Sequence, residues 1–396
     1  MNLADPLNPA GLIRLATGLM LAAAPLFVQA EAWVWQDPPA TADASLILLG
    51  DFNVQQRQDP GAALVHVRDT LAGADLVYAN LEGLLVESHG PAHDLPNKTG
   101  WTHLGPESVA ALIAGNIGVV GAANNVAFGR ENILQSLAVL DGHGIRHAGA
   151  GRDIEAAHQP AIIEKRGVRF GFLQYTSKWY DQSLQMATGT EPGVARLLSP
   201  DGESLDPGDR KRLFEDIQAL RPRVDILVVS THTRDGQGRD GAPPPRIRNP
   251  VREDAAELTA RLPVNENLQY AEPYQRLLAR TAIDAGADIV FGHGCHMLQA
   301  VEVYRGKPVL HCLGNFASDW IRVRDYRYGL LTRALVNRAG ISRVSVVPVT
   351  RDQEENNVML LDPGAGEGGE LYRKLVELSP DTPLKIHGRE IVLLGN

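Results

Sequence analysis

Cysteine is scarce in this chain of 396 residues: Cys295 and Cys312 are the only two, so at most one disulfide can form. Positive charge is also short, with 38 Lys and Arg against 47 Asp and Glu. The formal net charge of -9 argues against nonspecific nucleic-acid binding, which draws on a positive face. Beyond the N-terminal leader no stretch approaches the ~20 uninterrupted apolar residues that a membrane helix needs. Internal repeats are missing, and Gly364 to Gly369 is the one low-complexity block. What remains is a hydrophobic content of 44%, enough for a sizeable core and too much for a disordered or fibrous chain.

The leader has Arg14, a largely apolar run from Leu15 to Val28, and small residues at Val28 and Ala30 where a signal peptidase reads. Residues 1–30 are therefore expected to be a secretory signal cleaved after Ala30, with an uncleaved membrane anchor as the alternative. No lipidation cysteine follows the run. A Pro38-Pro39 linker is expected over 31–44, and one domain over 45–396. The expected location is outside the cytoplasm, in the periplasm.

Along the domain, short β-rich apolar runs alternate with segments of helical spacing. Strands are expected over Ser45 to Leu49, Ala74 to Tyr78, Gly118 to Gly121, Ile145 to His147, Val224 to Ser230 and Ile289 to Phe291. Two more are expected around Gly167. Helices are expected over Gly61 to Leu71, Pro106 to Ala114, Arg130 to Leu140, Asp209 to Leu220, Glu272 to Ala285 and Glu370 to Leu378. Hairpins are expected around Gly306 and Gly340. This alternation marks a layered α/β fold. Residues 234–265, rich in Arg, Pro, Gly and Asp, read as a loop insertion.

Just past the strand ends stand Asp51, Glu82, Asn125, His232, and His293 with His296. In open α/β sheets, ligands sit beyond the carboxyl ends of strands. Singly, each of these residues reads as a turn cap or a solvated polar group. At five strand ends together they read as ligands for a hard or borderline metal. Cys295, between two of the histidines, has three open roles: a disulfide with Cys312, a thiolate ligand, or a small buried filler, the last being preferred.

The motifs Gly50-Asp51, Asn80-Leu81-Glu82, Ala123-Asn124-Asn125, Ser230-Thr231-His232, Gly292-His293-Gly294-Cys295-His296 and Leu313-Gly314-Asn315-Phe316 occur in this order. In that order the chain resembles the CapA family of bacterial capsule, or poly-γ-glutamate, synthesis proteins, from about Ser45 to Leu394. That family in turn is similar to the calcineurin-like metallophosphoesterases. The resemblance implies a layered β-sandwich flanked by helices around two divalent metal ions, with Mn, Zn or Fe suiting the mixed donors better than Ca. It implies that Asp51 and His296 hold one ion, that Asn125, His232 and His293 hold the other, and that Glu82 bridges. Asn53, Asn80, Asn124, Asn315 and Arg322 are candidate substrate-binding residues, and the expected partners are an anionic envelope polymer or phosphoester and a synthase complex.

Two departures stand out. Val126 occupies the position after Asn-Asn where the family usually has a histidine that protonates the leaving group, and such a general acid contributes ~10²- to 10⁴-fold in rate. Thr233-Arg234-Asp235-Gly236-Gln237 also lacks the usual aromatic and carboxylate. The resemblance thus implies metal binding more strongly than turnover. Arg322, Arg324 and Arg327 suit an anionic substrate, although a solvated basic face is the plainer reading.

Overall fold

The run Leu46-Ile47-Leu48-Leu49 is apolar on both sides because both sides are covered. Leu46 and Leu48 join one core cluster, Ile47 and Leu49 another, and all four are fully buried. Strand alternation sends successive side chains to opposite faces, so a strand that is apolar throughout belongs in the middle of a layered structure. The computed structural model describes residues 42–55, 57–87, 103–177, 182–233, 271–319 and 326–394.

Strand β1 (Ala44–Asn53) leads through a 3-10 turn (Pro60–Leu64) and α1 (Arg68–Ala72) to β2 (Leu76–Leu81). Helix α2 (Val109–Ala114) precedes β3 (Ile117–Gly121), and α3 (Arg130–Gly142) precedes β4 (Arg146–Ala148). Then come β5 (Ala150–Gly151), α4 (Ile154–Ala157), β6 (Ala161–Lys165), β7 (Val168–Thr176), α5 (Gln182–Gln185) and β8 (Gly193–Val194). Next are α6 (Pro207–Leu220), β9 (Ile226–His232), α7 (Pro273–Ala285) and β10 (Ile289–His293). The last third holds β11 (Val301–Tyr304), β12 (Lys307–Leu310), β13 (Asn315–Ser318), β14 (Gly329–Asn337), β15 (Gly340–Arg351) and β16 (Val358–Leu360). It closes with α8 (Gly366–Leu378), β17 (Lys385–His387) and β18 (Glu390–Leu394).

One sheet runs β17-β18-β15-β14-β1-β2-β3-β4, with β13 added beside β1 and β16 beside β15. A second runs β11-β12-β10-β9-β7-β6. Within the first, β1 to β4 are parallel; within the second, β7, β9, β10 and β12 are parallel. The sheets share a core in which Leu48, Tyr78 and Val119 meet Phe172, Val228 and Phe291. Helices cover the outer faces: Leu71, Leu112 and Ile133 pack on the first sheet, and Leu213, Ile217, Tyr274 and Leu278 on the second. Helix α7 begins with a capping box in which Glu272 and Gln275 bond each other's backbone, and it ends at Gly286. The molecule is a layered α/β sandwich, two mixed sheets face to face with helices outside.

Several expectations change. The helix expected over Gly61 to Leu71 splits into the 3-10 turn and α1 at Val67, whose φ of -122° leaves the helical region. Strand β1 runs on to Asn53, so Asp51 sits within it rather than past its end, and His232 and His293 likewise close their strands. The helix expected over Glu370 to Leu378 starts earlier, at Gly366, so that part of the low-complexity block Gly364 to Gly369 forms the first turn of α8. Cys295 and Cys312 form a disulfide, Cα to Cα 6.7 Å, which replaces the preferred reading as buried fillers. The 1–30 leader, nearly all of the linker and the 234–265 insertion lie outside the described residues.

Candidate metal centre

Carboxyl ends of parallel strands from both sheets meet at one end of the sandwich. In β1 the register shifts between Leu48 and Asp51, and Gly50 lies so close to the loop before β13 that a Cβ there would stand 2.1 Å from the Gly314 carbonyl oxygen. Only glycine permits this approach, and it lets Asp51 pair with Asn80 on β2 and with Asn315 on β13. Glu82 follows β2 directly, and its amide donates to the Phe52 carbonyl at 3.0 Å. In the other sheet His232 and His293 are cross-strand partners. Beyond β10 the chain turns through Gly294 at φ +86° and His296 at φ +60°. A left-handed conformation is costly for histidine, and strain of this kind concentrates at functional sites.

The side chains converge. Ligand atoms of Asp51, Glu82 and His296 lie within 4.8 Å of one another. His296 Nδ1 is 3.4 Å from Asp51 Oδ2, and its Nε2 is 3.7 Å from Glu82 Oε1. Asp51 Oδ1 accepts from Asn80 Nδ2 at 2.7 Å and lies 3.9 Å from His232 Nδ1; its Oδ2 accepts from the Gly294 amide at 3.1 Å. His232 Nε2 donates to Asn125 Oδ1 at 2.8 Å, and His293 Nε2 lies 2.8 Å from Ser230 Oγ. Residues named from five separate strand ends in the sequence are thus neighbours in the folded chain.

Burial would raise the Asp51 carboxyl, but its bond with His296 and the nearby charge of His232 outweigh that and hold it well below the usual carboxylate range. Burial pulls His293 down to about 4, only partly opposed by Asp51. At neutral pH His293 is therefore an uncharged imidazole, the form that ligates metals.

This donor set fits a divalent cation. Asp51, Glu82 and His296 offer two carboxylates and an imidazole at one point, with Asp51 and Glu82 almost fully buried. Nearby, His293 Nδ1 and Asn53 Oδ1 are buried polar atoms without a hydrogen-bond partner, which is costly in a protein interior unless something else occupies them. The second set fits less directly. Both ring nitrogens of His232 are already engaged, one by Asn125 and the other by Asn80 Nδ2 at 3.3 Å.

The residues assigned to substrate have other contacts. Asn53 Nδ2 donates to the Glu82 carbonyl at 2.6 Å, and Asn124 Nδ2 to the Leu81 carbonyl at 2.7 Å, so both brace the Glu82 segment. Asn80 touches Asp51 and His232, and Asn315 Oδ1 lies 2.9 Å from His296 Nδ1. Arg322 and Arg324 lie outside the described residues, and Arg327 donates to the carbonyls of Arg351 and Asp352. Val126 is buried, and its amide donates to Asn124 Oδ1 at 3.1 Å.

Gln174 is a site residue that motif spacing did not single out. Its Nε2 donates to Asn80 Oδ1 at 2.8 Å and its Oε1 accepts from the Ala123 amide at 2.7 Å, so one side chain joins two ligand-bearing segments. The available signal was a lone amide in the otherwise apolar run Phe170 to Tyr175.

A sandwich that delivers carboxylate, amide and imidazole from parallel strand ends to one point has the architecture of a metallophosphoesterase-like protein. The sequence profile of the family described as bacterial capsule synthesis protein PGA_cap matches residues 44–257 and 264–320, and the chain belongs to that family. It is similar to the PGA biosynthesis protein CapA of Bacillus subtilis, 26% identical over 76% of this chain and 69% of that one. It is also similar to the capsule biosynthesis protein CapA of Bacillus anthracis, 25% identical over 72% of this chain and 60% of that one. Among solved structures, a hypothetical protein from Thermus thermophilus matches with a TM-score of 0.42 and 13% identity, over 77% of this chain and 98% of that chain.

Proposed function

We propose that this chain is an exported, metal-dependent phosphoesterase-type hydrolase of capsule or poly-γ-glutamate metabolism. The observation that carries the reading is the convergence of Asp51, Glu82 and His296 within 4.8 Å. Two divalent cations, Mn, Zn or Fe, would supply Lewis-acid polarisation of a phosphoryl oxygen and acidify an attacking water. Asp51, Glu82 and His296 would hold the first. Asn125, His232 and His293 would hold the second, which requires the Asn125 amide to turn its oxygen inward and His232 Nε2 to give up its proton. Asn80, fixed by Gln174, keeps the Asp51 carboxylate oriented throughout. Export is supported by the leader and by the Cys295–Cys312 disulfide, since such bonds persist in oxidising compartments.

Val126 favours a second reading: a metal-bound scaffold that binds an anionic envelope polymer or a synthase partner without turnover. Its buried aliphatic side chain holds no proton to give a leaving group.

The test is metal analysis of the purified protein, followed by hydrolysis of bis(p-nitrophenyl) phosphate with Mn²⁺. Bound metal with turnover that Asp51→Ala abolishes is expected. Bound metal with no turnover, in wild type and in Val126→His alike, overturns the hydrolase and leaves the scaffold. Absence of stoichiometric metal overturns both.

A further inference from the structure

Two acceptors surround Nδ1 of His296: Asn315 Oδ1 at 2.9 Å and Asp51 Oδ2 at 3.4 Å. The orientation of the Asn315 amide is fixed on its other side, where the nitrogen donates to the Tyr326 carbonyl at 3.0 Å. A carbonyl cannot bond another carbonyl, so Oδ1 must face the ring and Nδ1 must carry the proton. The Tyr326 carbonyl is held in turn by Arg351, whose Nη2 donates to it at 3.0 Å. Arg351 is fully buried, and its Nε donates to Asn356 Oδ1 at 3.1 Å. The amide of Asn356 then ties to the Ser318 carbonyl at 2.8 Å, at the far end of β13, the strand that Asn315 begins. Asn315 is thus braced at its backbone by pairing with Asp51 and at its side chain by Tyr326 and Arg351.

We propose that Asn315 is a positioning residue that holds the His296 ring with its Nδ1–H directed at the Asn315 amide oxygen and its Nε2 turned toward Glu82, and that Arg351 acts through the Tyr326 carbonyl to fix Asn315. The purpose of the arrangement rests on the metal-centre reading; the tautomer itself does not. With Nδ1 engaged by Asn315, Nε2 stands 3.7 Å from Glu82 Oε1, a separation suited to a cation between them. Partners that orient a ligating histidine through its other nitrogen typically contribute roughly 10- to 100-fold to metal affinity. This moves Asn315 from the substrate to the support of a ligand, although it begins a strand only four residues long.

The experiment uses nitrogen-15 NMR of the histidine rings in the metal-free protein, with His296→Gln to assign the signal, and calorimetric titration with Mn²⁺ and Zn²⁺. Wild type is expected to show His296 protonated at Nδ1. Asn315→Leu is expected to lose that signature and to bind metal roughly 10- to 100-fold more weakly. Asn315→Asp, which keeps an acceptor for Nδ1, should keep the signature and recover most of the affinity. A folded Asn315→Leu protein that retains the Nδ1–H signature overturns the proposal. Should Asn315→Leu not fold, Asn315→Ser, too short to reach the ring, replaces it with the same expected loss, and retention of the signature overturns the proposal equally. Wild type that binds neither ion defeats the metal-centre reading, while the tautomer still decides the role of Asn315.

Discussion

Gly294→Ala tests how closely the loop after β10 passes the end of β9. A Cβ at this position would lie 2.6 Å from the Thr233 carbonyl oxygen and 2.7 Å from His232 Nε2. The backbone there is also left-handed, at φ +86°. The conformation alone costs an alanine about 1–2 kcal/mol, and forcing a methyl into a filled site adds about 1–3 kcal/mol. A total near 3 kcal/mol would lower Tm by roughly 5 °C or more in a domain of this class. Since the displaced atoms include a proposed ligand, metal affinity should fall as well, by at least about tenfold, because a shift of ~1 Å at such a site is expensive. Thermal unfolding of the metal-free protein and titration with Mn²⁺ measure the two effects separately. Gly142→Ala is the control: nothing lies within 4 Å of its Cβ, and it should stay within about 0.5 kcal/mol of wild type. If Gly294→Ala unfolds within about 1 °C of wild type, the loop does not make this approach and the site geometry is wrong.

Three further outcomes are expected. Asp51→Ala should abolish the metal-dependent rise in Tm, because it removes the carboxylate that His296, Asn80 and Gly294 all contact; a rise of unchanged size would remove Asp51 from the ligand set. Converting Cys295 and Cys312 together to serine opens a loop with a separation of 17 residues and should cost about 3 kcal/mol on unfolding, with no effect expected from a reductant on the double variant. Glu302 is drawn down to about 2, chiefly by its bond with His311 and by Arg280, against the opposing effect of burial. Its folded pKa lies below the unfolded one, so its contribution is present above about pH 4.5 and is lost as pH falls toward 2. Allowing for solvent screening, urea unfolding at pH 7 and pH 3 should differ by about 1–2 kcal/mol more in wild type than in Glu302→Gln.

Element type was legible wherever the residues carried their own periodicity. The apolar runs of β1, β7, β9 and β10 and the amphipathic spacing of α3, α6 and α7 sit where the sequence places them. Short elements without a pattern were not. Asn315–Ser318 becomes a strand only because β1 offers it an edge, and Lys385–His387 only because β18 does. The glycines that open α8 are helical because Leu371 and Leu375, further along, anchor that helix in the core between the sheets.

The residues of the candidate centre were also within reach of the sequence, because each stands at or within a few residues of the end of a strand that composition alone identifies. Ligand chemistry is local: carboxylate, amide and imidazole announce themselves by type. Their distances, and what each side chain does there, belong to the tertiary structure. Asn315 and Asn80 look alike as amides after strands, yet one offers its oxygen to an imidazole and the other its nitrogen to a carboxylate, and Gln174 and Arg351 show their purpose only through partners 94 and 25 residues away. The pairing of Cys295 with Cys312 was equally undecided until β10 and the segment after β12 lay side by side. Periodicity is written into neighbouring residues, so the sequence settles layers and strand ends; hydrogen-bond partners are chosen by long-range packing, which only the folded chain determines.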